Sequence, residues 1–369
     1  MSYSHRFFLY APLALLLMFA AAVMIYWKIV AGPFDEGLAA ADGHEIMPGV
    51  RISYATKTLG GFPFRLDAVL DGFSLQMQTR NGPFVWHADH FAVHALTYGR
   101  NHQIFETAGT QAFSWTDPDG AHHQYAFVPG SMRASAIVSS GRLSQFDLDI
   151  VALASPELSA ARIQFHLRRQ PGHDALQYVL SGDNLRRTIA GKTGAVQDIS
   201  VAGVLAPAAP LAGLLGGATD WRVAAESWRQ HRGSLTIERI ESLKDQIKVN
   251  GSGKLSLDDQ HRLQGRIALT YQAPEQVTKM GRNPSAAQLQ YYWLTLKGHR
   301  DGSGWPQLTY LFENGHIYAD TIAPSQIVYD WSGNRQAYLI AGTPSENDQA
   351  IRRLISIIQQ HAIILHPLY

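Results

Sequence analysis

Hydrophobic residues fall along this chain in three patterns, and each predicts a different element. From Phe7 to Trp27 the chain reads FFLYAPLALLLMFAAAVMIYW, 21 residues without a charge, bracketed by Arg6 and Lys28. A helix needs about 20 apolar residues to cross the hydrocarbon core of a bilayer. The run therefore predicts a transmembrane helix within residues 1–30. Tyr3, Tyr10, Tyr26 and Trp27 stand near its ends, where amphipathic rings favour the headgroup layer. Ala20-Ala21-Ala22 offers the small residues of a signal-peptide cleavage site, the rival reading. Cleavage there would leave VMIYWKIV as a greasy new start, which favours an uncleaved anchor. Arg6 precedes the helix, while Lys28 is followed by Asp35 and Glu36. The positive-inside rule then leans towards a cytoplasmic N-terminus and an exported body. The body has no second run of this kind, so a single pass is expected.

Beyond the anchor the dominant period is two. Phe64, Leu66, Ala68 and Leu70 alternate with Arg65, Asp67, Val69 and Asp71; Phe73, Leu75 and Met77 alternate with Ser74, Gln76 and Gln78. Asp71-Gly72 and Asn81-Gly82 follow these segments. Such pairs are strong hairpin signals, because they tolerate the positive φ of a tight turn. The alternation returns at Phe146 to Ile150, Ala161 to Leu167, Leu235 to Ile237, Leu255 to Leu257 and Ile267 to Tyr271, with Asn314-Gly315 as a further turn. One wet face and one apolar face is the mark of antiparallel meanders.

The third pattern is helical and sparse. Pro207 to Gly233 predicts one or two helices with Trp221, Ala225 and Trp228 on one face. Asn283-Pro284 starts another, striped by Ala286, Leu289, Trp293 and Leu296 and ended by Gly298. Thr343 and Glu346 form a capping box for a last one, whose stripe runs from Ile351 to Leu365 before Pro367. The expected fold is mainly β (a β-rich α+β protein): long twisted antiparallel sheets with a few packed helices and one N-terminal transmembrane helix. The expected organisation is an anchor (1–30), a juxtamembrane linker (31–48), an N-terminal β-rich region (49–205), a C-terminal β-rich region with helical insertions (206–342) and an amphipathic C-terminal helix (343–369). A single continuous sheet bearing a helical insertion fits the same pattern.

Composition removes several function classes. The chain has 369 residues, a net charge of +1 and no cysteine. Near-neutral charge gives no electrostatic footprint for nucleic acid. Without cysteine there are no disulfides, thiolate nucleophiles, iron–sulfur clusters or cysteine-bound zinc. No G-x-S-x-G, H-E-x-x-H or G-x-G-x-x-G signature occurs, so no catalytic constellation and no cofactor is expected. Gly251-Ser252-Gly253-Lys254 lacks the first glycine and the final Ser or Thr of a phosphate loop, and a turn between strands is the simpler reading. His87, His90 and His94, with Asp89 among them, are the candidate metal ligands, since imidazole suits zinc, copper or nickel. On a strand, His90 and His94 share a face but stand about 13 Å apart at the usual rise, too far for one ion. They read as solvated side chains. Phe62, Phe64, Phe73, Phe91, Phe165, Trp228 and Trp293 read mostly as core, or alternatively as the wall of an apolar groove that takes acyl chains.

Four stretches together carry a resemblance: GGFPFRLDAVLDGFSLQ (Gly60 to Gln76), WHADHFAVHALTY (Trp86 to Tyr98), the segment from Ser227 to Tyr271, and PQLTYLFENGHIYAD (Pro306 to Asp320). The chain resembles the proteobacterial family known as domain of unknown function 2125, over most of Val50 to Asp320. The most specific part is G-F-P-F-R (Gly61, Phe62, Pro63, Phe64 and Arg65), which reads as structural. The likeness implies a protein anchored in the inner membrane with its body in the periplasm, and it brings no catalytic residues. The G-x-L-x-L-D segment (Gly253 to Asp258) with G-x-I-x-L (Gly265 to Leu269) is similar in texture to AsmA-type proteins, which implies a link to envelope lipids. The expected function is non-enzymatic: binding or moving lipid or another apolar envelope component. The alternative is a scaffold that docks another envelope protein through a sheet edge or the C-terminal helix. Expected partners are thus the membrane, a lipid or apolar ligand and an envelope protein, with no nucleic acid.

Overall fold

The apolar run and the segment after it form one helix. A computed structural model describes residues 5–79, 82–116, 120–140, 142–189, 192–193, 196–215, 221–244, 246–275, 291, 294–295, 299–314, 316–320, 327–330 and 338–339. In it, α1 (His5–Ala41) continues unbroken for 37 residues, about 55 Å at the helical rise. Among the described residues it is the one helix long and apolar enough to cross a membrane. Its environment changes along its length. Residues 13–26 are almost all exposed, whereas Val30 and Ala31 are buried against Leu66, with Trp27, Phe34 and Leu59 around them. Lys57 Nζ pairs with Asp35 at 2.6 Å, and Tyr54 Oη donates to Leu38 O at 2.9 Å. Residues 31–41, which composition placed in a linker, are therefore helix fastened to strands.

The chain divides into two compact units. The first holds Met1–Thr116, Gly120–Leu153 and Ala212–Asp220; the second holds Asp117–Asp119, Ala154–Leu211 and Trp221–Tyr369. In the first unit α1 is followed by β1 (Glu45–Met47), β2 (Val50–Ser53), β3 (Thr56–Gly60), β4 (Arg65–Thr79), β5 (Gly82–Leu96), β6 (Gly99–Thr116), β7 (His122–Phe127), β8 (Ser131–Ser139) and β9 (Arg142–Ala154). All these strand pairs are antiparallel. β4 pairs with β5, β5 with β6, and β8 with β9, while β2 and β3 share β4 and β7 and β8 share β6. Asp71-Gly72 is not the hairpin that its residues suggest. It lies inside β4, where the partner changes from β3 to β2. Gly72 has φ +61°, and a Cβ there would meet Ala55 at 3.2 Å. The positive φ thus serves an irregularity in a long strand instead of a reversal.

The second unit is another antiparallel meander. Its strands are β10 (Leu158–Arg169), β11 (Leu176–Ile189), β12 (Lys192–Thr193), β13 (Gln197–Ala206), β14 (Ser234–Lys244), β15 (Ile247–Leu257), β16 (Leu263–Gln272), β17 (His299–Arg300), β18 (Pro306–Glu313), β19 (His316–Asp320), β20 (Ile327–Asp330) and β21 (Tyr338–Leu339). The main pairing order is β10-β11-β13-β14-β15-β16-β18-β19-β20-β21. Between β13 and β14 the chain forms a single turn, α2 (Ala212–Leu215), and then α3 (Trp221–Gln230), which buries Ala224 and Trp228 one turn apart. Asn314, at φ +55°, turns β18 into β19 as the Asn-Gly pair predicts. Ile247, Tyr271, Ala273, Tyr291, Leu294 and Leu308 form this unit's main buried cluster. Tyr291, Leu294 and Thr295 are helical; the rest of the stripe from Asn283 to Gly298, Trp293 included, lies outside the described residues, as does the expected helix from Thr343 to Pro367. The mainly β expectation is met, with long antiparallel strands and few helices.

Gly251-Ser252-Gly253-Lys254 sits in the middle of β15. A Cβ on Gly253 would lie 2.5 Å from Arg266 O of β16. The glycine is there to let two backbones approach, and the segment is the middle of a strand, neither the turn expected from its residues nor a phosphate loop. Gly253→Ala should accordingly lower thermal stability by about 1–3 kcal/mol through overpacking. Gly60→Ala, with nothing within 4 Å of the new atom, should stay within about 0.5 kcal/mol. Melting of both variants by circular dichroism checks this.

Candidate functional site

The alternation in β4 to β7 sends one set of side chains to each face of the first unit's sheet. One set is aromatic. Phe73 stacks on Phe91 with centroids 4.2 Å apart, and Trp86 stands edge-on to both at 5.6 and 5.8 Å. Trp86 stacks on Phe113 at 6.1 Å, Phe91 on Phe105 at 6.0 Å, and Phe113 on Phe127 at 5.9 Å. Phe84 joins at Phe113 and Tyr125 at Phe127. This ladder crosses four strands. Phe73 and Phe127 are buried at its ends, while Phe84, Trp86, Phe91, Phe105 and Phe113 between them are only half-buried. Its one buried amide is satisfied: Gln111, 0% exposed, takes the Trp86 Nε1–H at 3.0 Å.

The other face of the same strands is charged. His87, His90 and His94 all stand on it, opposite Ser74, Asp71 and Asp67 of β4. His90 Nδ1 lies 2.6 Å from Asp71 Oδ1, and His94 Nδ1 lies 2.6 Å from Asp67 Oδ1. The hydrogen bond from His90 holds the Asp71 carboxyl below its usual range. Arg65 Nη2 also reaches Asp67, and Arg133 takes Glu106 at 2.8 Å. Asp89 is a bulge residue that accepts the Thr110 N–H at 2.6 Å, which lowers its own pKa. Each acid among these is already held by a neighbour on the sheet. Among the described residues no group of three or more His, Cys, Asp or Glu side chains could hold a metal ion.

The G-F-P-F-R motif is a loop, and it meets α1. Gly61 has φ +93°, its carbonyl accepts the Arg65 N–H at 2.8 Å, and a Cβ would fall 2.7 Å from Arg65 O. Trp27 Nε1 donates to Arg65 O at 2.8 Å, and the Phe62 ring sits edge-on to Trp27 at 5.8 Å. Tyr26 Oη donates to Thr97 O at 3.1 Å. Phe62 and Phe64, expected in the core, are instead 53% and 62% exposed. They stay out of the core because the loop lies at the end of the sheet beside α1, where Phe62 meets the Trp27 ring edge-on. Phe165 of β10 is half-buried opposite Leu180.

The chain matches the model of the family described as an uncharacterized protein conserved in bacteria (DUF2125) over residues 27–336. The chain belongs to this family. No curated protein and no solved structure gives a significant match. The DUF2125 match opens at Trp27, the residue whose indole docks on Arg65, and takes in both the aromatic ladder and the G-F-P-F-R loop. Sequence reading missed Phe105, Phe113 and Phe127 as members of the ladder. Thr107 and Gln111 fall among them on β6 and break the apolar period.

The second unit has an open polar pocket of about 460 Å³ lined by Arg229, Arg232, Lys254, Asp258 and Asp259, among others. Its carboxylates are paired. Arg229 pairs with Glu226 at 2.8 Å and Asp259 at 2.6 Å, Arg262 with Asp258 at 2.7 Å, and His261 with Glu226 at 2.7 Å. Hydrogen bonds from Arg229 first, then Gln230 and His261, lower the Glu226 pKa from 4.5 to about 2. A depressed carboxylate contributes stability above its unfolded pKa and loses it as pH falls through the folded one. The melting temperature of this DUF2125 protein should therefore fall between about pH 5 and pH 2. Glu226→Gln should reduce that fall, while equal slopes for both proteins would contradict the assignment.

Proposed function

We propose that this DUF2125 protein is a single-pass inner-membrane protein whose periplasmic body binds an acyl chain or another apolar envelope component on the aromatic face of its first unit. The observation that carries the reading is the ladder from Phe73 to Phe127, whose middle members keep part of their surface open. Well-covered cores bury such rings, and a contiguous apolar surface left open marks a binding face. The polar groups on that face are few: Gln111 and Trp86 pair with each other, and the buried Thr107 hydroxyl stands without a partner among the described residues. A ligand there would be held by shape and apolar contact, with little polar recognition, which fits hydrocarbon better than a sugar or a nucleotide. The apolar helix supports a seat at a membrane, and the charge on either side of it supports the periplasmic orientation. The paired acids and histidines on the opposite face support a solvated outer surface.

Native mass spectrometry of the full chain released from detergent tests the reading. Phospholipid or fatty acid should travel with the protein. Phe113→Glu should weaken uptake of added fatty acid on the order of tenfold or more, because a carboxylate in an apolar seat is costly. Phe113→Leu, which keeps the surface apolar, should retain it and controls for misfolding. A folded chain that carries no lipid and takes up none would overturn the reading.

A further inference from the structure

The G-F-P-F-R loop and the β5–β6 turn reach back along α1 towards the bilayer. Pro63 and Phe64 from the loop, Thr97 and Tyr98 from the turn, and Ala22, Val23 and Tyr26 of α1 wall a groove of about 340 Å³. That volume lies at the lower end of ordinary ligand sites, about 300–1,000 Å³. Ala22 and Val23 belong to the uncharged run, one turn before the Tyr26-Trp27 pair that ends it. One wall of the groove is thus a membrane-crossing segment, and the loops stand at the depth of that wall. Two features suit them to that depth. First, their outward side chains are large and apolar: Phe62, Phe64 and Tyr98 are 53%, 62% and 72% exposed. Second, three of their carbonyls, at Gly61, Phe64 and Thr97, are satisfied internally, as is Arg65 O beside them. Phe64 O accepts both the N–H and the hydroxyl of Thr97 at 3.0 and 3.1 Å, Thr97 O accepts from Tyr26, Arg65 O accepts from Trp27, and Gly61 O accepts from Arg65. Each such bond spares a carbonyl the need for a partner that hydrocarbon does not offer.

We propose that Gly61–Phe64 and Thr97–Tyr98 form a wedge immersed in the leaflet on the body's side of the membrane, and that the groove between wedge and α1 seats one acyl chain of a membrane phospholipid. The occupant follows from the walls. They are apolar except for Thr97 and the two tyrosine hydroxyls, with those of Thr97 and Tyr26 already engaged, and they run directly into the exposed apolar surface of α1. Tyr26 and Tyr98 place two amphipathic rings where the chain would meet its glycerol. The inference rests on the membrane anchor and not on ligand uptake by the aromatic face.

The chain has no cysteine, so single labels are clean. The full chain carrying Phe64→Cys, tagged with an environment-sensitive fluorophore, is placed in nanodiscs of phosphatidylethanolamine and phosphatidylglycerol. Emission should shift to the blue relative to a label at Gln124→Cys on β7. Lipids spin-labelled near the glycerol end of the acyl chain should quench it several-fold more strongly. Water-like emission with no added quenching would overturn the wedge. Nanodiscs doped with a phospholipid bearing a photoreactive acyl chain test the groove. Adducts should map to Pro63, Phe64 or Tyr98 and should fall several-fold in Val23→Trp, which fills the groove. Loop adducts unchanged by Val23→Trp would overturn the seat. Adducts confined to Phe105 and Phe113 would also overturn it while leaving the aromatic-face reading intact; loop adducts alone would support the seat and count against that face.

Discussion

The long apolar helix α1 and the first unit's sheet are joined at two neighbouring side chains. Tyr26 and Trp27 each donate a hydrogen bond to a backbone carbonyl, Thr97 O and Arg65 O, at the same end of the sheet. Each such bond contributes only about 1 kcal/mol net, but both come from rigid rings with few rotamers to fix. Beyond them Val30 and Ala31 close against Leu66, and Lys57 ties Asp35. A flexible tether would leave the body free to drift from the apolar run. A helix that leaves that run and packs at once against β4 holds the sheet's end beside it, and the proposed seat at a membrane depends on that placement.

The sheet so held has two unlike faces, because residues alternate along β4, β5 and β6, with one change of phase at Gly72 and Asp89 that puts Leu70 with Phe73 and His87 with His90. The acids and histidines answer one another across strands, as in Asp71 with His90 and Asp67 with His94. The aromatic rings do the same on the reverse. A one-residue slip in register would exchange the two sets. The bulge at Asp89 and the irregularity at Gly72 fall level with each other on paired strands, between Asp71↔His90 and Phe73↔Ala88, so both strands keep their faces in step.

Much of the fold was legible in the sequence. The strand alternation from Leu66 to Met77 and from Ile267 to Tyr271 appears as read, since a half-buried sheet imposes a period of two. The Asn314 turn followed from its residue type. Asp71-Gly72 carried the same local signal, yet the pairing of two short strands along one side of β4 uses the positive φ differently, which no local pattern reveals. Residues 31–48 read as a linker, but the packing of Val30, Ala31 and the half-buried Phe34 on the sheet keeps the helix going to Ala41. Of the site, Phe73 and Phe91 were legible as apolar strand positions. Whether such rings lie in a core or on an open face depends on what packs over them, and that is a tertiary property. The exposure of Phe62 and Phe64 was hidden for the same reason: only the position of α1 tells where the loop points.

Hydrogen–deuterium exchange of the full chain in nanodiscs tests most directly whether helix and sheet form one packed element at the membrane. The account predicts that amides from Lys28 to Ala41 exchange as slowly as those in the paired centre of β4. Exchange of that segment at the rate of an exposed linker would contradict it.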